Sequence, residues 1–250
     1  MTHFPHKQVA REKKSIGLLV LQADETIEDD FRELLDPSVR CLVSRVPSST
    51  EVSLDSLGDM AGHISAAAAL FPRGREFDAV GYACTSGAAQ IGVERILNLV
   101  RMGTDARSVS EPVSALVAAC KTLGVRRIAI LSPYVESVSE KLRSVLTSYG
   151  IATPIFGSFR EPNEASVARI DHAATLEAAR ALSGKVEVDA LFLSCTNLPT
   201  LAVIDPLEAE TGRPVLSSNL VLAWHLMKLV GAKPKESAPG VLMEMYRRAT

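Results

Sequence analysis

Apolar residues in this chain gather in short dense runs, separated by stretches where apolar and polar positions recur at helical spacing. The runs "SIGLLVLQ", "VRCLVSRV", "FDAVGYA", "RRIAILSP", "IATPIFGSF", "VDALFLS" and "RPVLSS" have the length and composition of strands. The stretches between them predict helices over 26–35, 54–71, 90–101, 111–123, 135–149, 164–182, 201–210 and 220–230. Strand and helix alternating along nearly the whole length is the pattern of βα units that build parallel sheets, so the expectation is an α/β protein. Gly124 and Gly150 follow helical stretches where a left-handed C-cap is wanted, and Pro112 stands in a helix's first turn. The order helix, Gly, Val, Arg, Arg, strand over 123–130 opens a second βα series, which places a domain junction near residues 104–124 without a Pro/Gly/Ser-rich linker. The tail "GAKPKESAPGVLMEMYRRAT", with its prolines and mixed charge, reads as a flexible end or a partner-docking arm.

Composition narrows the function classes. With 250 residues, 47% of them hydrophobic, the chain can bury a large core in one or two domains. Its net charge of −2 is interspersed, without the basic stripe that a nucleic-acid backbone demands, so no nucleic-acid partner is expected. No apolar run approaches the roughly 20 residues needed to span a bilayer, and no apolar h-region follows the polar, basic N-terminus. The expectation is therefore a cytoplasmic protein with no membrane partner. The four cysteines, at 41, 84, 120 and 195, include no C-x-x-C pair and no zinc-type Cys/His spacing. Cys41 and Cys120 sit inside apolar segments and read as small buried hydrophobes. His63, His172 and His225 lie in helical stretches at no ligand spacing and read as scaffold.

The other two cysteines pose a different question. "AVGYACTSGAAQIG" and "ALFLSCTNLPTL" both run from an apolar strand through Cys-Thr into a new segment, with Cys84 and Cys195 at the strand ends. In open parallel sheets ligands bind beyond the carboxyl ends of the strands. A thiol at a helix N-terminus meets unpaired N–H groups that favour the thiolate and can cradle a carboxylate, so a lowered thiol pKa is expected at both junctions. Thr85 and Ser86 after the first thiol, and Thr196 and Asn197 after the second, add donors close to a bound ligand. Either cysteine alone could be an ordinary buried residue. As a pair facing one cleft, one thiolate could attack a substrate carbon or remove its proton while the other thiol delivers a proton from the opposite side, with no metal or organic cofactor.

Taken together, "GYACTSG", "LSCTNL", "SRVP" at 44–47, "LSPY" ending at Tyr134, "EPNEASVARI" with Asn163 and "GRPVLSSNLVLAWHLM" at 212–227 resemble the Asp/Glu racemase superfamily, in its branch of maleate cis-trans isomerases and arylmalonate decarboxylases. The resemblance covers nearly the whole chain. It implies two similar α/β domains, each a roughly four-stranded parallel sheet flanked by helices, with the active site in the interdomain cleft. On that pattern residues 1–115 plus 216–250 form the domain with Cys84, and 116–215 the domain with Cys195. It further implies Cys84 as nucleophile or base, Cys195 as acid, Tyr134 and Asn163 on substrate carboxylates, and hydroxyl assistance from Thr85 and Thr196. The implied partners are a small carboxylate-bearing or amino-acid-like substrate and further copies of the chain in a homo-oligomer.

One departure from that branch changes the expected substrate. Where its isomerases carry a "P-S-S-N-T" motif this chain reads "LQADETIEDDF", which puts Asp24 in place of a carboxylate-binding asparagine. An ionised Asp24 would repel a second substrate carboxylate by roughly 1 to 4 kcal/mol at contact distance, and would suit an amine, amidine or hydroxyl. This opening looks more like ectoine utilization proteins, which implies ectoine, hydroxyectoine or derived amino acids as substrates. Asp24 also reads as a helix N-cap, since Glu25 and Glu28 follow in the first turn. Arg45 in "SRVP" reads equally as an anion clamp or a strand-end surface residue. The leading reading is a cofactor-independent isomerase or racemase. A decarboxylase using Cys195 alone, a non-catalytic solute-binding module and a thiol redox sensor are the alternatives.

Overall fold

The computed structural model describes residues 1–8, 13–185 and 187–250, so residues 9–12 of the polar N-terminal stretch lie outside it. The first sheet is built from β1 (Ser15–Leu21), β2 (Arg40–Val46), β3 (Phe77–Ala83) and β4 (Ala106–Ser110), all parallel, in the order β2-β1-β3-β4. The second uses β5 (Arg127–Ser132), β6 (Ala152–Ser158), β7 (Ala190–Leu193) and β8 (Val215–Ser217), also parallel, in the order β6-β5-β7-β8. Each half thus threads its strands in one and the same order, so β1 corresponds to β5 and β3 to β7.

The helices are α1 (Ile27–Leu34), α2 (Leu54–Asp59), α3 (Ala61–Ala68), α4 (Thr85–Ile91), α5 (Val93–Gly103), α6 (Pro112–Leu123), α7 (Glu136–Ser148), α8 (Glu164–Val167), α9 (His172–Ser183), α10 (Leu201–Thr211), α11 (Ser218–Val230) and α12 (Val241–Ala249). None of these is long and apolar enough to cross a membrane. The central strands β1 and β7 are buried at every position, as strands covered by helices on both faces must be. Edge strands are wetter: β2 and β4 expose several of their residues. That explains why β4, "ARSVS", escapes the hydrophobic pattern, with only Ser110 buried.

Three predicted helices are divided. The stretch 54–71 is interrupted at Met60, which ends α2 and begins α3. The stretch 90–101 is preceded by α4, which starts directly after Cys84 and is separated from α5 by Gly92 at φ 95°. The stretch 164–182 splits because Asp171 leaves the helical region and caps α9, its carboxylate accepting the Ala174 N–H at 2.7 Å. The expected boundary between 115 and 116 falls inside α6, a continuous helix with Pro112 in its first turn and Gly124 as left-handed C-cap. After β8 the chain returns: α11 packs on β3, β4 and α6. Gly81 permits this approach, since a Cβ there would come within 2.8 Å of a Leu226 methyl. The tail is neither flexible end nor free arm, because α12 buries Leu242 and Met243 and sets Tyr246 edge-on to Trp224. Each buried side chain of that size contributes roughly 1.5–3 kcal/mol.

Candidate active site

Four side chains reach one cavity from the carboxyl ends of the central strands: Asp24 after β1, Cys84 after β3, Tyr134 after β5 and Cys195 after β7. Because β1 corresponds to β5 and β3 to β7, each half supplies one thiol and one oxygen-bearing group. Thr85, Ser86, Thr196, Glu164 and Glu51 are among the other polar lining residues, and Leu21, Val52, Leu57 and Met60 among its apolar walls. The free space is about 20 Å³, room for about one water molecule.

Cys84 is the N-cap of α4, in extended conformation, and its Sγ accepts the Gly87 N–H at 3.2 Å. Gly87 is required here, since a Cβ would lie 2.7 Å from the Tyr82 hydroxyl and 2.9 Å from Sγ itself. Cys195 adopts φ 148°, a strained value for a residue with a Cβ. Its N–H donates to Ser218 Oγ at 3.0 Å, and its Sγ accepts the Asn197 N–H at 3.3 Å. The Thr85 hydroxyl donates to the same Ser218 Oγ at 2.7 Å, so Ser218 joins the two thiol junctions across the cleft. The Thr196 hydroxyl crosses the other way to the Ala83 carbonyl at 3.4 Å.

Glu164 is a buried cavity residue that the sequence reading overlooks. It accepts the Tyr134 hydroxyl at 2.7 Å and the Asn197 side-chain amide at 2.7 Å. The Tyr134 oxygen also lies 3.0 Å from Cys195 Sγ, giving a chain of contacts Cys195–Tyr134–Glu164. Asn163, expected on a substrate carboxylate, is instead the N-cap of α8, its side chain accepting the Ser166 N–H. That cap turns the following residue inward, which is why the carboxylate and not the amide reaches the cavity. Asn197 does not line the cavity either. It is a strut between Glu164 and the β1–α1 loop, where its Oδ1 accepts the Glu25 N–H at 2.8 Å. Arg45 is no anion clamp: it donates to the carbonyls of Leu21, Gln22 and Asp24 and pairs with Glu28, outside the cavity.

Asp24 lines the cavity and bonds the start of α1, whose N-cap residue is Thr26 rather than Asp24. One carboxylate oxygen accepts the Thr26 and Ile27 N–H groups at 2.9 Å each. The other, Oδ2, is buried without a hydrogen-bond partner. Over the cavity the segment after β2 clasps the segment before α8: Val52 N–H donates to the Pro162 carbonyl at 2.9 Å, and Glu164 N–H to the Thr50 carbonyl at 3.0 Å.

The electrostatics overturn the expectation of lowered thiol pKa values. Burial pushes Cys84 up to about 12, aided by the Glu164 and Asp24 carboxylates, while the Gly87 N–H only partly offsets it. Burial and the same two carboxylates raise Cys195 as well. Asp24 and Glu164 are themselves raised by burial, with their hydrogen-bond donors pulling the other way. In the closed cavity both thiols are protonated. The remaining cysteines are separate from this site: Cys120 is buried and Cys41 half-buried, and burial raises each to about 12. His225 bonds to Ser110 at 2.7 Å and is part of the scaffold.

Known proteins share both the sequence and this architecture. The arylmalonate decarboxylase of Bordetella bronchiseptica is 30% identical over 128 residues, 51% of this chain and about half (53%) of that protein. A maleate isomerase of Pseudomonas putida is 27% identical over 176 residues, 66% of this chain and 69% of its own length. The fold matches a Nocardia farcinica maleate cis-trans isomerase, a cysteine-to-serine mutant with a covalently bound succinylcysteine intermediate, at TM-score 0.81 and 23% identity, covering 93% of this chain and 98% of that one. A family model described as arylmalonate decarboxylase matches residues 64–243. Since that span carries both thiol junctions, Tyr134 and Glu164, this chain belongs to the arylmalonate decarboxylase family.

Proposed function

We propose that this protein is a cofactor-independent isomerase or racemase that uses Cys84 and Cys195 on a small carboxylate-bearing substrate. The observation that carries the reading is the pairing of the two thiols, one from each half, at corresponding strand ends of one closed cavity. In the isomerase form, the Cys84 thiolate bonds to a substrate carbon and Cys195 protonates the adjacent carbanion. After rotation about the new single bond, Cys195 takes the proton back and the C–S bond breaks. In the racemase form, Cys84 removes a carbon-bound proton and Cys195 supplies one from the opposite face, leaving thiol and thiolate exchanged. The covalent succinylcysteine in the Nocardia farcinica relative supports the first form. Tyr134 and Glu164 hold Cys195 in place, and Ser86 and Thr196 contact the substrate, while the Thr85 hydroxyl is given to Ser218. The physiological setting is ectoine or hydroxyectoine utilization in the cytoplasm, and the working unit is a homo-oligomer.

A second reading is decarboxylation with Cys195 as sole proton donor, favoured by the 30% identity to an arylmalonate decarboxylase. One experiment tests both: proton NMR in D₂O with maleate, aspartate, glutamate, ectoine, hydroxyectoine, acetylated diaminobutyrates and phenylmalonate. Isomerisation or solvent exchange of one compound, abolished in both Cys84→Ala and Cys195→Ala, is the expected result. Decarboxylation that survives Cys84→Ala selects the second reading, and turnover that survives both substitutions sinks the two-thiol mechanism.

A further inference from the structure

The cavity carries charge of one sign only. Asp24, Glu51 and Glu164 line it, and among the described residues no Lys, Arg or His does. Asp24 lines this space, and its Oδ2 is buried without a hydrogen-bond partner, although its sister oxygen is doubly satisfied and the Thr196 hydroxyl helps hold the carboxyl down. An acceptor left alone in such a place costs about 1–3 kcal/mol, and more when charged, a cost that a ligand donor removes. The nearest guanidinium, that of Arg45, is committed to backbone carbonyls and Glu28 on the outer side of the loop. A second substrate carboxylate would therefore meet two acidic groups with no cation in the cavity lining, the Arg45 guanidinium acting on Asp24 only from outside it.

We propose that the substrate carries a protonated nitrogen, an amidinium or an ammonium with N–H donors, beside its carboxylate, and that Asp24 Oδ2 and Glu164 hold this nitrogen. The assignment rests on the isomerase reading for the reacting thiols but concerns a separate part of the ligand. It also accounts for activation of the protonated thiols. The Asp24 and Glu164 carboxylates are among the groups that oppose ionisation of Cys84 and Cys195, and a cation seated between them cancels that opposition. Thiolate then forms only with the correct substrate bound, and a dianion of similar size gains no such help.

Isothermal titration calorimetry of the full chain with ectoine, whose ring is an amidinium bearing one carboxylate, with 2,4-diaminobutyrate and with maleate tests the assignment. The variants are Asp24→Asn, which keeps an acceptor at the start of α1, and Glu164→Gln, each checked for an unchanged melting temperature. The expected result is binding of at least one nitrogen cation tenfold or more tighter than maleate. Each variant should weaken that cation tenfold or more while maleate binds equally or better. A preference for maleate in the wild type, a selectivity that neither variant alters, or binding of neither cation overturns the proposal. Because the readout is binding, it separates from the thiol chemistry. Dianion turnover lost in both cysteine variants would keep the isomerase and discard the cation site, whereas cation binding without turnover would do the reverse.

Discussion

The Tyr134 hydroxyl lies 3.0 Å from Cys195 Sγ and 2.7 Å from the Glu164 carboxylate, so the sulfur and a buried carboxylate compete for one hydroxyl proton. Tyr134 is one of the groups that hold the Cys195 pKa down against burial, and Glu164 is one that pushes it up. Replacing Tyr134 with Phe removes the restraint and keeps the ring packing. Turnover should fall by about 10²–10³, in the range of a lost proton-transfer partner, with KM little changed. In a Cys84→Ala background, the pH at which Cys195 becomes alkylable by iodoacetamide should move upward. An unchanged alkylation profile would show that the contact does not tune the thiol.

Gly87 and Cys84 make a second testable pair. The missing Cβ of Gly87 leaves space shared by the Cys84 sulfur, the Tyr82 hydroxyl and the Met60 methyl, all within 3.0 Å of where that carbon would be. Alanine is otherwise the better helix former, by about 1 kcal/mol, so Gly87→Ala should leave the melting temperature within a few degrees. The Cys84 sulfur must shift, and a displacement of about 1 Å at a reacting atom costs roughly 10²-fold in rate. Parallel melting curves and turnover assays check this. Equal loss of stability and activity would mean that the glycine serves packing alone.

Both thiol junctions were legible in the sequence because a strand end followed by small hydroxyl residues has a local signature, and the two copies reinforce each other. Tyr134 and Asp24 were legible only through the family resemblance, the first as part of its pattern and the second as a departure from it. Glu164 was not. It opens a four-residue helix in a polar loop, where an acidic residue ordinarily serves the helix dipole, and the Asn163 cap together with the tertiary clasp on the 50–52 segment turns it inward. Asn163 misled, and Arg45 stayed open between two readings, because a strand-end arginine and a loop asparagine look the same whether they bind a ligand or the backbone. The thiol pKa values misled for a global reason: the helix-terminus effect is local and readable, but burial beside two carboxylates outweighs it and depends on the whole closed cavity. Edge strand β4 and helix α12 were hidden because their stabilising contacts lie far away in sequence.

Asp30 on α1 gives a pH dependence. Its carboxylate accepts the Asn219 amide at 2.7 Å, and Asn219 in turn donates to the Thr196 carbonyl beside Cys195. Burial raises Asp30 from 3.8 to about 7, with Asp24, Glu33 and Asp29 adding to it and the Asn219 bond opposing it. Below the lower value both folded and unfolded chains hold the proton. Between 3.8 and about 7 the unfolded chain has released it and the folded one has not, so stability falls as pH rises through that window, by at most about 4 kcal/mol. Asp30→Asn removes the charge and keeps an acceptor for Asn219. Urea denaturation should show the variant more stable than wild type by about 1–3 kcal/mol at pH 8 and equal to it at pH 4. A difference of the same size at both pH values would assign the effect to packing.

Ser218 is the joint between the halves. Its fully buried hydroxyl oxygen accepts both the Thr85 hydroxyl and the Cys195 N–H, and the latter belongs to a residue held at φ 148°. Such a conformation costs of order 1–3 kcal/mol and persists only when its surroundings enforce it. Ser218→Ala strands two buried donors, at about 1–3 kcal/mol of stability, and frees the Cys195 backbone to relax toward an ordinary extended conformation. Relaxation carries Sγ away from the Tyr134 hydroxyl, so turnover should fall by about 10², beyond anything the fraction unfolded explains. The partner of the same network supplies the control: Thr85→Val loses one donor to Ser218 but leaves the Cys195 N–H bonded. If the strained backbone is what places the second thiol, Thr85→Val costs stability with a much smaller loss of turnover than Ser218→Ala. Equal losses from the two variants would show instead that Ser218 acts through Thr85 and the first thiol junction.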